Sequence, residues 1–280
     1  MRKYLFCLII TAFAFGISGC SDDQYAIEKQ YWRLQKQAEN IYKNPHGSPP
    51  KELEKVIQLL NNFIGKYPKD KLSLNADFDI AGLYITKEEY EKARAQLQII
   101  INKYNKSRTV SAEALFLLGT TYQKENSWGQ ALIQYRKIIQ DYPDTLKGLE
   151  IPLYIARYYK TAYQPDKMHT AYKEAISHYK GLIEKYPNTA LAYAAHSAMA
   201  KCYIAIKDWE KTIETFNAML DTYKGKAKMD GILLNMAFIY SKELKNNIKA
   251  KEALAQLKND YPKSRLLKAA DKILKEIEKK

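Results

Sequence analysis

Cysteine is scarce. The chain has three in 280 residues, at positions 7, 20 and 202. That count excludes the multi-bridge framework of small disulfide-stapled proteins. Glycine (11) and proline (9) are few, and no low-complexity stretch occurs, so collagen-like and linker-like chains are excluded. Arginine is also rare. Only positions 2, 33, 94, 108, 136, 157 and 265 carry it, so the excess of 45 Lys+Arg over 31 Asp+Glu is nearly all lysine. Phosphate and nucleic-acid readers favour the bidentate arginine fork, whereas lysines spread along helices form a solvated face, so no nucleic-acid partner is expected. The four histidines, His46, His169, His178 and His196, lie in no HExxH or CxxC context. No glycine-rich phosphate loop and no GxSxG occurs, and the carboxylates are scattered among lysines. The reading is therefore a non-enzyme with no cofactor, no metal and no small-molecule substrate. What the chain does hold is an ordinary apolar fraction, 46%, and an abundance of tyrosine, 23 residues.

The first residues read MRKYLFCLIITAFAFGISGC. Arg2 and Lys3 give a positive start, an uncharged apolar stretch runs from Leu5 to Ile17, and the small residues Ser18 and Gly19 precede Cys20. A positive end, a short apolar region and a small-residue cut site make a secretory signal. The apolar stretch falls short of the roughly 20 residues that span a bilayer as a helix. The block ISGC resembles the lipobox of bacterial lipoproteins. That resemblance implies cleavage before Cys20, acylation of Cys20 (palmitate being one such acyl chain) and anchorage in a membrane by several lipid chains, against the marginal hold of one. The alternative is an ordinary signal peptide with an incidental cysteine. Loss of residues 1–19 removes Arg2 and Lys3 and lowers the formal charge from +14 to +12. Cys202 then stands without a partner for an internal disulfide, and its helical neighbours SAMAKCYIAI make it a buried small residue.

Tyrosine recurs in a pattern. Tyr67-Pro68, Tyr104-Asn105, Tyr142-Pro143, Tyr186-Pro187, Tyr223-Lys224 and Tyr261-Pro262 each end a helical run, at spacings of 37, 38, 44, 37 and 38. A fixed period in this range signals a solenoid. The clearest unit is SAEALFLLGTTYQKENSWGQALIQYRKIIQDYP. Its first half is apolar at Leu115, Leu118 and Tyr122, with Gly119 where helices touch, and its second at Ala131, Tyr135, Ile138 and Ile139, both at helical spacing.

This unit resembles the tetratricopeptide repeat (TPR), a helix–turn–helix of 34 residues. The family's small residue, aromatic, alanine, second aromatic and proline correspond here to Gly119, Tyr122, Ala131, Tyr135 and Pro143. Further copies place Ala81, Tyr84 and Ala93; Ala156, Tyr159, Ala175, Tyr179 and Pro187; Ala200, Tyr203 and Phe216, with Thr212 for the alanine; and Ala237, Tyr240, Ala250 and Pro262. The resemblance implies an all-α, right-handed superhelical solenoid. The expected divisions are a signal peptide at 1–19, a lipidated linker at 20–24, a divergent helix pair at 25–70, five repeats at 71–262 and a capping helix at 263–280. Seven extra residues near YQPDKMH predict either a protruding turn or longer helices in the third repeat.

In this family the first helix of each pair lines the concave side. The inward positions that this implies include Asn75, Phe78, Glu113, Phe116, Leu153, Arg157, Lys201, Leu234 and Phe238. Phe78, Phe116, Leu153 and Phe238 would make an apolar stripe in a polar trough, suited to an extended segment or helix of another protein. The same side chains could instead pack between neighbouring helices. The lysine/asparagine clamp of co-chaperone repeats is not seen. As a lipidated repeat chain with long Tyr-Pro units, the sequence resembles the BamD group of outer-membrane assembly lipoproteins and the repeat domain of YbgF/CpoB proteins. That implies envelope protein partners, a β-barrel assembly component among them. Ser21 after Cys20 favours the outer membrane, facing the periplasm, by the sorting rule of enteric lipoproteins. A pilotin-like carrier for secretin or pilus assembly, and binding of an anionic wall or lipid polymer, are the other readings.

Overall fold

The computed structural model describes residues 22–279. Among them are thirteen α-helices and no strand: α1 (Asp22–Lys43), α2 (Pro50–Lys66), α3 (Lys71–Thr86), α4 (Tyr90–Lys103), α5 (Arg108–Lys124), α6 (Trp128–Asp141), α7 (Leu146–Thr161), α8 (Pro165–Lys185), α9 (Ala190–Ala205), α10 (Trp209–Tyr223), α11 (Asp230–Lys242), α12 (Asn247–Asp260) and α13 (Leu267–Glu278). The expected class, an all-α array of helix–turn–helix repeats, is the class observed. Cys20, the signal peptide and the start of the lipidated linker lie outside the described residues. The chain divides into two compact units, Met1–Gln96 and Leu97–Lys280.

In the first unit, Tyr31, Leu34, Ala38 and Ile41 of α1 are buried at helical spacing against Val56, Leu60 and Phe63 of α2 and Ala76, Ile80 and Leu83 of α3. Each leucine, isoleucine, valine or phenylalanine among them contributes about 1.5–3 kcal/mol when fully withdrawn from water. A polar seam runs beside this core. Tyr31 Oη donates to Asp79 Oδ2 at 2.6 Å, and Tyr42 Oη donates to the Asp79 carbonyl at 3.2 Å. Burial pushes the Asp79 carboxyl up to about 6. Gln96 Nε2 donates to Asp77 Oδ1 at 3.1 Å. Lys87 Nζ donates to the carbonyls of Pro45 and Ser48, at 2.5 and 2.9 Å, and so ties down the proline-rich loop.

The repeat hairpins close with one shared turn. Glu88, Asn126, Tyr163, Lys207 and Lys245, one per hairpin, adopt positive φ between 53° and 62°. Left-handed backbone ends a helix sharply. In each hairpin an amide just past the turn donates to a tyrosine carbonyl. These bonds are Glu89 to Tyr84, Ser127 to Tyr122, Gln164 to Tyr159, Asp208 to Tyr203 and Asn246 to Tyr240, at 2.7–3.0 Å. The first four span five residues and the last spans six, so the α11–α12 turn carries one more residue. Asp208 and Asn246 then cap the following helix through the amides of Lys211 and Lys249.

The long repeat departs from its expected register. Its turn is no longer than the others; the seven extra residues lengthen α8, which has 21 residues against 14 in α6. Ala93, Ala131, Thr212 and Ala250 stand fourth in their helices, whereas Ala175 stands eleventh in α8. Ala175 is buried, but it does not open its helix as the family pattern implied. The neighbouring α7 has an irregularity of its own. Pro152 lies inside that helix and has no amide to give the Gly148 carbonyl. His178 of α8 turns its ring to the Gly148 backbone, and burial lowers its pKa. Tyr179 Oη donates to the Leu149 carbonyl at 2.9 Å.

Two glycines are dictated by close approach. A Cβ on Gly119 would lie 2.4 Å from Tyr135 Cε1, and one on Gly148 would lie 2.1 Å from the Tyr142 carbonyl oxygen. Gly119 therefore lets α6 seat the fully buried Tyr135 ring on α5. At the far end, α13 buries Ala270 and Ile277 against the α10–α12 core.

Candidate functional site

The first helices of the second unit's hairpins begin the site. α5 packs beside α7, and α7 beside α9. Their register is set by side chains that bridge neighbours. Lys147, at the start of α7, reaches Glu113 of α5 at 3.6 Å and Glu150 of its own helix at 3.4 Å. The same ammonium lies 4.2 Å from the centroid of Phe116. Burial raises the pKa of Glu113, and Lys147 opposes that shift by favouring the carboxylate. Phe116 is half-buried, packing 6.0 Å from Tyr135 and edge-on 6.1 Å from Tyr154. Tyr135 and Tyr154 both donate to Gln123 Oε1, at 3.1 and 2.6 Å. Trp128 stacks on Tyr158 with its ring 9° from parallel and donates to Tyr159 Oη at 3.1 Å. The α5–α7 contact is thus an aromatic cluster, with polar groups satisfied at its margins.

Beyond this cluster the surface changes. Arg157, on α7, and Lys201, on α9, are exposed, as is Lys160. None of the three enters an ion pair described among the residues. Ile204 follows Lys201 by three residues and is exposed. On α11, Leu234 packs part-buried against the core, while Phe238 presents 47% of its surface to solvent. A phenylalanine so exposed has apolar area to bury on a partner.

The expected stripe is only partly a surface. Leu153 is 8% exposed and belongs to the core, on the side of α7 opposite Ile151 and Ile155. Its place in a partner-binding stripe is corrected accordingly. Phe116 is committed largely to Tyr135 and Tyr154. Glu113 is engaged by Lys147. Asn75, exposed, and Phe78, half-buried, lie on α3 of the first unit. What remains accessible in the second unit is Phe238 with Ile204, and the cations Arg157, Lys160 and Lys201. Sequence reasoning overlooked Lys147, Trp128 and Tyr154. Lys147 falls just past the Tyr-Pro boundary, where the repeat pattern has no residue to compare, and Trp128 opens α6 at a place outside the positions that the repeat pattern names.

Among the described residues no group of three or more His, Cys, Asp or Glu is arranged to hold a metal ion, and no helix is long and apolar enough to cross a membrane. Cys202 is buried, and that burial pushes its thiol up to about 12, so it is not a ready nucleophile. His196 Nδ1 lies 2.9 Å from the Ala192 carbonyl within its own helix.

Several solved structures are similar to the chain at low identity, with TM-scores below 0.5. BtubC (BKLC) from P. vanneervenii is 15% identical with a TM-score of 0.42, covering 84% of this chain and 90% of that one. YrrB, described as a TPR protein with an unusual peptide-binding site, is 16% identical with a TM-score of 0.41 over 76% of this chain and 97% of its own. A tetratricopeptide repeat protein from Parabacteroides merdae is 11% identical with a TM-score of 0.35 over 88% and 99%. No curated protein matches the sequence. A family model described as tetratricopeptide repeat matches residues 113–145 and 232–264. The first match runs through α5 and α6, and the second through α11 and α12. The chain therefore contains tetratricopeptide repeats, in the hairpins that carry Phe116 and Phe238.

Proposed function

We propose that the protein is a non-catalytic scaffold, tethered by lipid at Cys20 in the bacterial cell envelope, that holds a segment of another protein. The observation that carries this reading is the accessible part of the repeat surface. Phe238 on α11 and Ile204 on α9 offer apolar area, and Arg157 and Lys160 on α7 and Lys201 on α9 are exposed cations without described ion-pair partners. An extended or helical segment gains affinity from such a surface by burying apolar side chains, and orientation from the charges. The lipobox-like ISGC and the long Tyr-Pro repeats support placing this scaffold at the outer membrane, facing the periplasm, in a role like that of BamD. A pilotin-like role uses the same anchor and the same surface.

Extraction of the membrane in mild detergent, followed by affinity purification and mass spectrometry, tests the scaffold. The expected result is a discrete set of envelope proteins, β-barrel assembly components among them, depleted when Phe238 is replaced by alanine. No protein above background, in both the parent and the variant, contradicts the reading. The formal charge of +12 that remains after loss of residues 1–19, Arg2 and Lys3 among them, from a total of +14 favours a second reading, binding of an anionic wall or lipid polymer. That reading predicts co-sedimentation with wall material that falls steeply as salt rises, whereas a segment held by Phe238 and Ile204 resists salt.

A further inference from the structure

The helix that follows the lipidation motif carries a face that the repeat packing does not use. On α1, at about 100° per residue, Tyr25, Lys29, Trp32 and Lys36 fall within an arc of about 60°. The residues that pack against α2 and α3, Tyr31, Leu34, Ala38 and Ile41, lie on the opposite side. Tyr25 is 62% exposed and Trp32 is 57% exposed. Each aromatic has a lysine one turn on, with the Lys29 ammonium 5.7 Å from the Tyr25 centroid and the Lys36 ammonium 5.7 Å from the Trp32 centroid. Arg33 flanks the stripe and is exposed. Of the nearby acids, Glu39 lies between Lys36 and Lys43 at 2.8 and 2.7 Å, and Glu28 accepts from Gln24.

The other end of the chain supplies the control. The outer face of α13 is built from Lys268, Asp271, Lys272, Lys275 and Glu276, all exposed, with no aromatic among them. That is how a terminal helix meets water. The outer face of α1 differs in having two large amphipathic rings, and it differs at the end that starts two residues after Cys20.

We propose that the Tyr25–Lys29–Trp32–Lys36 stripe seats on the phospholipid surface to which the Cys20 lipid tethers the chain; this rests on the reading of Cys20 as the acylated residue. The five residues from Cys20 to Tyr25 reach at most roughly 18 Å, so the stripe is held within reach of the headgroups. Tyrosine and tryptophan place an apolar ring toward the acyl boundary and a polar tip in the headgroup layer. The lysines lay their stems along the rings and extend their ammonium groups to phosphate. The stripe runs about 16 Å along the helix, so its contact with the surface would orient the first unit where the anchor alone would leave it free to tumble.

Tryptophan quenching by vesicles with brominated acyl chains, made of phosphatidylethanolamine and phosphatidylglycerol, tests the seating. Two forms of the mature chain are used: one acylated at Cys20, and one that begins at residue 21 and carries no lipid. Mass spectrometry of Cys20 decides the anchor separately. In either form that binds vesicles, the expected result is quenching that Trp32→Phe abolishes for the most part and Trp209→Phe leaves in place. Bound protein whose quenching survives Trp32→Phe, or bound protein that shows none, overturns the proposal even if Cys20 is acylated. Protection of Trp32 from aqueous iodide that grows with protein concentration, without vesicles, would assign the stripe to a second copy and also overturn it.

Discussion

The two compact units solve one packing problem in different ways. In the second, neighbouring helices lock by shape: Gly119 admits the Tyr135 ring, Trp128 stacks on Tyr158, and Tyr135 and Tyr154 share one acceptor on Gln123. In the first, helices of more divergent sequence are joined by polar groups withdrawn from water, Tyr31 and Tyr42 on Asp79 and Gln96 on Asp77. Shape-locked contacts contribute at every pH. A buried carboxyl is different, because its contribution depends on whether it carries a proton.

The largest test of that contrast removes the aromatic lock. Tyr135→Ala should cost about 3–5 kcal/mol, read by denaturant unfolding, with the loss confined to amides of the second unit in hydrogen exchange. Loss of protection in the first unit to the same degree would erase the distinction. Next is the carboxyl. Asp79 has a folded pKa of about 6 against an ordinary 3.8. Between those values the folded state holds a proton that the unfolded state has released, so the stability of the first unit falls as pH rises through that window. The full penalty above it is at most roughly 3 kcal/mol. Asp79→Asn should therefore stabilise the first unit at pH 8, leave it little changed at pH 3.5, and flatten the profile between; thermal melts at both pH values read this. A variant that destabilises at both would mean the Tyr31 bond outweighs the burial of charge.

A smaller effect is expected at Gly119. Gly119→Ala places a methyl group 2.4 Å from the Tyr135 ring and should cost about 1–3 kcal/mol through overpacking, with the near-ultraviolet circular dichroism of the cluster altered. The smallest concerns the shared turn. Tyr163 has a φ of 53° and is 92% exposed, so Tyr163→Gly relieves the left-handed backbone and sacrifices no packing. It should raise the unfolding free energy by less than about 1 kcal/mol.

The contrast also accounts for what could be read before the fold was seen. The second unit's hairpins are legible because a small residue and an aromatic recur at fixed positions, and Gly119 with Tyr135 meets as that pattern implies. The α1 face through Tyr31, Leu34, Ala38 and Ile41 is legible differently, from apolar residues at helical spacing outside the repeat pattern. Asp79 was not, since a single carboxylate in a half-polar helix looks like any solvated one until α1 is laid across it. The seven added residues could be counted but not placed, because a longer turn and a longer helix carry the same count. At the site, the inward positions were named from the family pattern alone. That pattern gives the direction of a side chain relative to its own helix but not the depth to which a neighbour covers it, which is why Leu153 proved to be core and Phe238 surface.

Site-specific photo-crosslinking in the native envelope tests the central claim most directly, with benzoylphenylalanine placed at Phe238 and, for comparison, at Ile248. Both side chains are exposed, but Ile248 lies on α12, the second helix of the same hairpin. The account predicts a discrete protein adduct from position 238 and none from 248. Identical adducts from both positions, or none from 238, would contradict it.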